Sequence, residues 1–313
     1  MKKIIAFILL VCMLMTLAAC TGKAPENTPS DDSSVEDSTP KITLQEVYNA
    51  GKSLSALLGD HENVYVKVVS DGKVIREEYL NKQFYYSYNS AEYMDMGFEY
   101  ADFTTDHSQY VFSFDVYALN VTLTPSGMID TKNIFAERAN NAFISSEVVN
   151  DDKATITEKD GFIIVTSIAD VDEILTMGDD IASCTETYTL DAKTCEMIAV
   201  KTVYTYKDGT VKEGIVTVTR DVELPEGAKP FVAYDEEAEN LRTVTIVSNP
   251  GAEDEKTESI KAPKGLAVVF SPDWDVEQTL TVYTDAACTQ VLEEESDLNS
   301  DVTVYAKWTA NEI

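Results

Sequence analysis

His61 and His107 are the only histidines in this sequence, and histidine is the side chain most often used to move protons at neutral pH. Both stand among turn-forming residues: His61 follows Gly59-Asp60, and His107 lies within Thr105-Asp106-His107-Ser108. A serine, histidine and aspartate arrangement can be drawn through Asp106 and His107, but a loop histidine in so acidic a chain is expected to be solvated. Acid pairs such as Asp151-Asp152 and Asp179-Asp180 arise without selection in a chain holding 55 Asp and Glu residues, so they do not argue for glycoside hydrolysis. The same pair at 179–180 and Asp273-Trp274-Asp275 have the oxygen chemistry of a calcium site but no twelve-residue ligand loop. No CxxC or Cys/His spacing suggests zinc. The expectation is a protein with no catalytic residue, no cofactor and no metal site: not an enzyme.

The cysteine with a reaction to offer is Cys20. Met1-Lys2-Lys3 and an apolar run from Ile4 to Leu17 have the charged-then-apolar order of a secretory signal, too short for the roughly 20 apolar residues of a bilayer crossing. The run ends at Leu17-Ala18-Ala19-Cys20, which resembles the bacterial lipoprotein lipobox. That resemblance implies loss of residues 1–19 and acylation of Cys20, which anchors the chain to the extracytoplasmic face of a membrane. The alternative is an ordinary secretory signal cut near Ala19. Residues 20–41 carry one aliphatic side chain, Val35, among Ser, Thr, Pro, Asp and Glu, the composition of a disordered tether. As a coil it spans about 25 Å.

The formal net charge of −31 becomes more negative still once Lys2 and Lys3 leave with the signal. Such a surface repels nucleic acid and anionic headgroups. No nucleic-acid partner is expected. Cys184, Cys195 and Cys288 are too few and too odd for a disulfide framework. Cys184 and Cys195 flank a turn at Asp191-Ala192-Lys193-Thr194; with Leu190 opposite Cys195, Cys184 falls opposite Lys201, out of reach of a bridge.

Thr43-Leu44-Gln45-Glu46 is a capping box, and Leu44, Val47, Tyr48, Gly51, Leu54 and Leu58 follow at helical spacing to Gly59. One amphipathic helix is expected over 43–58. Strands follow at Val64 to Ser70 and Lys73 to Tyr79 around Asp71-Gly72, then at Gln83 to Tyr88, Phe98 to Thr104, Tyr110 to Tyr117 and Val121 to Thr124. Helical spacing returns at Ile134, Phe135, Ala139, Ala142 and Phe143. Strands resume at Ala154 to Thr157 and Phe162 to Ser167, a short helix fits Val171 to Met177, and hairpins turn at Asp191 to Thr194 and at Lys207-Asp208-Gly209 before Val211 to Val222. Pro225, Pro230 and the acids at 235–239 mark a linker over 224–241.

This order, with the hairpin Tyr188-Thr189-Leu190-Asp191-Ala192-Lys193-Thr194, resembles the LolA-like lipoprotein carriers over residues 42–223. The resemblance implies an incomplete β-barrel closed by helices, holding a lipid or a lipidated chain. From Arg242, Val244-Thr245-Ile246, Tyr283 to Thr289 and the closing Val304-Tyr305-Ala306-Lys307-Trp308 resemble the internalin-type B repeat, although no Gly-Gly pair follows the first strand. That implies a small β-grasp-like domain over 242–309. The expected class is α+β, mostly antiparallel. Aromatic residues crowd the first sheet, and a half-barrel with one covering helix leaves concave apolar wall, so Tyr85, Phe103, Phe112 and Phe114 are the expected lining of a pocket for a lipid or other apolar molecule. The competing expectation is a surface adhesion or scaffold protein that binds other proteins through its C-terminal module.

Overall fold

In the computed structural model, Thr43 caps the first helix as its sequence dictates: its hydroxyl accepts from the Glu46 N–H while the Glu46 carboxylate accepts from the Thr43 N–H. The structure describes residues 42–94, 97–140, 154–168, 181–236, 240–273, 276, 278–293 and 299–310. The expected signal (1–19), Cys20, the tether, the helix at 171–177, the acid pairs at 151–152 and 179–180, Phe143 and Trp274 lie outside the described residues.

In chain order the elements are α1 (Leu44–Ala50), α2 (Leu54–Leu58), β1 (Asn63–Ser70), β2 (Lys73–Asn81), β3 (Phe84–Asn89), α3 (Ala91–Met94), β4 (Tyr100–Thr105), β5 (Gln109–Ser113), β6 (Val116–Thr124) and β7 (Gly127–Met128). Then come α4 (Thr131–Asn140), β8 (Thr155–Lys159), β9 (Phe162–Ile168), β10 (Ile181–Asp191), β11 (Met197–Tyr206) and β12 (Val211–Arg220). The last are α5 (Lys229–Glu236), β13 (Leu241–Ser248), β14 (Lys256–Pro263), β15 (Ala267–Pro272), β16 (Gln278–Tyr283) and β17 (Val302–Ala310). The architecture is mostly antiparallel β with few helices, and the end strands of the sheets do not pair, so neither sheet closes.

The chain forms two compact units, one of residues 1–77 with 140–221 and the other of 78–139 with 222–313; β2 passes from the first to the second. The first unit lays β1, β12, β11, β10, β9 and β8 side by side, every pairing antiparallel. Its hairpins turn where the sequence places left-handed backbone, at Asp71-Gly72 and Asp160-Gly161. The helix expected over 43–58 is two helices: the chain leaves α1 at Gly51, and Ser53 caps α2 by accepting from the Ala56 N–H. Val47, Leu54 and Leu57 are buried with Val64, Val66 and Val218.

In the second unit β3, β4, β5 and β6 form a meander, and β15 joins β6 in parallel, Val268 opposite Leu119 and Phe270 opposite Val121. The strand expected over Tyr110 to Tyr117 is interrupted by a two-residue turn, because Phe114 and Asp115 both take positive φ (50° and 61°), the backbone of a primed hairpin turn. Phe114 therefore leaves the alternation that was to carry it inward. A second sheet runs β14, β13, β17, β16, with β13 and β17 parallel at its centre. Residues 224–241 hold a 3-10 turn (Glu226–Ala228) and α5, so the segment expected as a linker contributes Phe231, 1% exposed, to the interior. Pro230 sits in the first turn of α5, where a missing N–H costs nothing.

Candidate functional site

The four expected lining residues do not assemble. Tyr85 pairs with Thr104 and its neighbour Tyr86 with Phe103, so Tyr85 and Phe103 face opposite sides of the same sheet. Phe103 is buried between Phe84, at 4.7 Å, and Phe231 of α5, stacked at 5.7 Å and 4°. Phe112 lies against Tyr117 at 4.8 Å on the Phe103 side. Phe114, 69% exposed, rests on Phe98 at the hairpin tip. The aromatic wall is thus occupied by the protein's own Phe231 and by Tyr234, which stacks on Tyr110.

The Tyr85 side of that sheet is polar and hydrogen-bonded across its strands. Asp102, 2% exposed, accepts from Thr104 Oγ1 (2.7 Å) and Gln109 Nε2 (2.8 Å). Gln109 Oε1 accepts from Asn120 Nδ2, and Asn120 Oδ1 accepts from Ser271 Oγ, both at 2.8 Å. Arg138 lies 3.9 Å from Asp102, and that carboxylate holds the guanidinium pKa up. The network spans four strands and bolts β15 onto β6.

The histidines behave as joints. His107 bonds Asp106 at 2.7 Å, but the Ser108 hydroxyl donates to Asp235 rather than to His107, so no hydroxyl is activated by an imidazole there. His61 lies between Asp221 (2.6 Å) and Glu196 (2.8 Å); the Asp221 bond first, then that to Glu196, raises its pKa above the ordinary histidine value.

A different arrangement appears on the helix side of the first unit's sheet, and strand register builds it. One row across five strands is apolar: Val165, Tyr188, Val200, Val216 and Val68. Tyr48 of α1 meets its Tyr188 edge-on at 6.1 Å. The next row on the same face is Ser167, Glu186, Thr202, Gly214 and Ser70. Among the described residues, a Cβ built on Gly214 meets nothing within 4 Å, so the row borders space that they leave open. Tyr188 donates to Glu186 Oε2 at 2.5 Å, and Ser167 Oγ is buried without a partner among the described residues. Burial pushes the Glu186 carboxyl up, opposed only by the Tyr188 hydrogen bond; burial likewise pushes the Cys184 thiol, one row further, up to about 12, which makes it inert as a nucleophile. Cys184 stands opposite Tyr204 rather than Lys201, because the turn runs on through Cys195 at positive φ to put Leu190 opposite Met197 and a bulge at Thr189–Leu190 adds one more residue; all three cysteines are free. The signal for this row was present in the sequence: Cys184, Glu186, Tyr188 and Leu190 alternate, which puts one carboxyl on an apolar face.

No family model and no curated protein matches the chain. Among solved structures it is similar to the crystal structure of LprF from Mycobacterium bovis, at 13% identity and a TM-score of 0.30, covering 59% of this chain and 97% of that one. A likeness of this degree carries no argument about the site.

Proposed function

We propose that this chain is a lipid-anchored, extracytoplasmic binding protein, not an enzyme, which holds an apolar or amphiphilic ligand on the inner face of its first unit. The observation that carries the reading is the open space over Gly214, bordered by an apolar row on one side and by Glu186, Ser167 and Thr202 within it. Ligand sites are concave and mostly apolar with a few placed polar groups, and this row has that composition. The lipobox at Leu17 to Cys20 supports the anchor, and the order of elements supports an incomplete barrel of the LolA-like kind with a B-repeat-like β-grasp sheet after it. Protein purified without residues 1–19 and without Cys20 is expected to yield one class of amphiphile on organic extraction and mass spectrometry, and to bind a fluorescent fatty-acyl probe saturably. A blank extract together with no probe binding overturns the reading.

The second unit favours a scaffold role, because Phe231 fills the aromatic wall that would otherwise line a pocket. Deleting the turn at 284–290, between β16 and β17, should then reduce attachment of cells to surface-bound partner proteins without changing ligand content. Unchanged attachment speaks against it.

A further inference from the structure

We infer that the ligand held beside Gly214 carries a protonated amine, and that Glu186 is its counter-ion. This rests on the reading of the site just given and names the chemistry of its polar end. A carboxylate drawn into a protein interior is costly unless paired, and buried acids are found with a basic partner or a ring of donors. Glu186 has one donor, the Tyr188 hydroxyl on Oε2. Asp102 of the second unit shows the alternative: two side-chain donors and a guanidinium answer its charge. No such cation answers Glu186 among the described residues. Lys212 stands on the same face, but its ammonium lies over the Tyr206 ring at 5.7 Å.

The open space lies on the polar row itself, two strands from Glu186. Register sets Thr202 directly opposite Glu186 and Gly214 beyond Thr202, with Tyr204 and Lys212 in the row after. Gly214 puts no side chain into the polar row, and a Cβ there would meet nothing within 4 Å among the described residues. An ammonium seated over Gly214 and Thr202 reaches the Glu186 carboxylate on one side and the rings of Tyr204 and Tyr188 on others, the combination of carboxylate and aromatic faces that recognises organic cations. An alkyl chain continuing from it runs along Val216 and Val68, which are half-buried. A carboxylate or phosphate headgroup in the same place would oppose Glu186.

The test compares decylamine, decanol and decanoate by calorimetry on the signal-free protein and on two variants, Glu186→Gln and Gly214→Val. Gly214 lies in a strand with open space at its Cβ position, so valine fits there without backbone strain. Wild-type protein is expected to bind decylamine about tenfold more tightly than either of the others, as a charge-assisted bond implies. Glu186→Gln, which keeps the shape and removes the charge, should bring the three within about twofold of one another. Gly214→Val should abolish binding of all three with an unchanged or raised Tm. Equal binding of the three chains by wild type, or a decylamine preference that survives Glu186→Gln, overturns the inference and leaves an apolar site. Failure of every chain to bind overturns the site and the inference together.

Discussion

Glu186 and Asp102 are acids on buried faces of β-strands, and their surroundings treat them in opposite ways. Asp102 is held by Thr104, Gln109 and Arg138, and needs nothing from outside the chain. Among the described residues, Glu186 is left with one tyrosine hydroxyl, and open space lies two strands from it at Gly214. Gly227 has no such room, because a Cβ there would strike the Tyr86 hydroxyl. Tyr86 is fully buried, so its ring cannot swing aside as an exposed chain end would. Gly227→Ala should cost about 1–3 kcal/mol by urea denaturation, the usual penalty of overpacking. Wild-type stability in that variant would mean the 3-10 turn shifts freely. Strand alternation carried a signal for Glu186 that the sequence reading passed over; Gly227 had none, because a close approach between residues 86 and 227 has no local signature.

Among the elements, hairpins were read well because their turns are written in dipeptides that relieve positive φ, as at Asp71-Gly72 and Asp160-Gly161. Phe114-Asp115 carries no glycine, and its turn was hidden inside an aromatic alternation. Helix α5 was hidden by its prolines, which can open a helix as well as end one. Its weight should be large: Phe231→Ala removes a ring packed on Phe103, Tyr86 and Tyr117 and should cost about 3–5 kcal/mol, seen as a lower Tm. A Tm unchanged by that substitution would mean the aromatic wall closes without α5.

The joint at His61 gives the first unit a pH dependence with a definite sign. The imidazolium donates from Nδ1 to Asp221 and from Nε2 to Glu196, tying the turn after α2 to the ends of β12 and β11. Its folded pKa is raised, so its contribution is complete below the ordinary histidine value of about 6.5 and is lost as pH rises through the folded value. Asp221 is lowered, chiefly by the same bond, so its share is present above the ordinary aspartate value of about 3.9 and is lost on acidification through the lower folded value. Urea midpoints should therefore fall between pH 6 and pH 9 in wild type and stay flatter in His61→Gln. Equal slopes in the two proteins would remove His61 from the account.

At the scale of the whole molecule, a charge of −31 disfavours contact with anionic membranes and nucleic acid, and the attachment proposed here is the lipid expected on Cys20. Cys20→Ala should move the protein from the membrane fraction to the medium, with an unchanged far-ultraviolet circular dichroism spectrum in the released form. Retention in the membrane fraction would refute the anchor. The sequence ordered most of the strands correctly but not their grouping, since periodicity reports which face a residue takes and not which distant strand lies beside it.

The parallel pairing of β15 with β6 makes time a structural variable. On the edge away from β5, residues 118–123 pair with residues 267–272, and the short hairpin to β7 reaches only Leu123 and Thr124. A chain that emerges from its N-terminus at roughly 5–20 residues per second must keep the β6 edge open for on the order of 10–30 s. An open edge is a template for other chains. The length of that wait, rather than the final stability, should decide how much of this protein folds unaggregated, and a chain stopped before residue 267 never ends it.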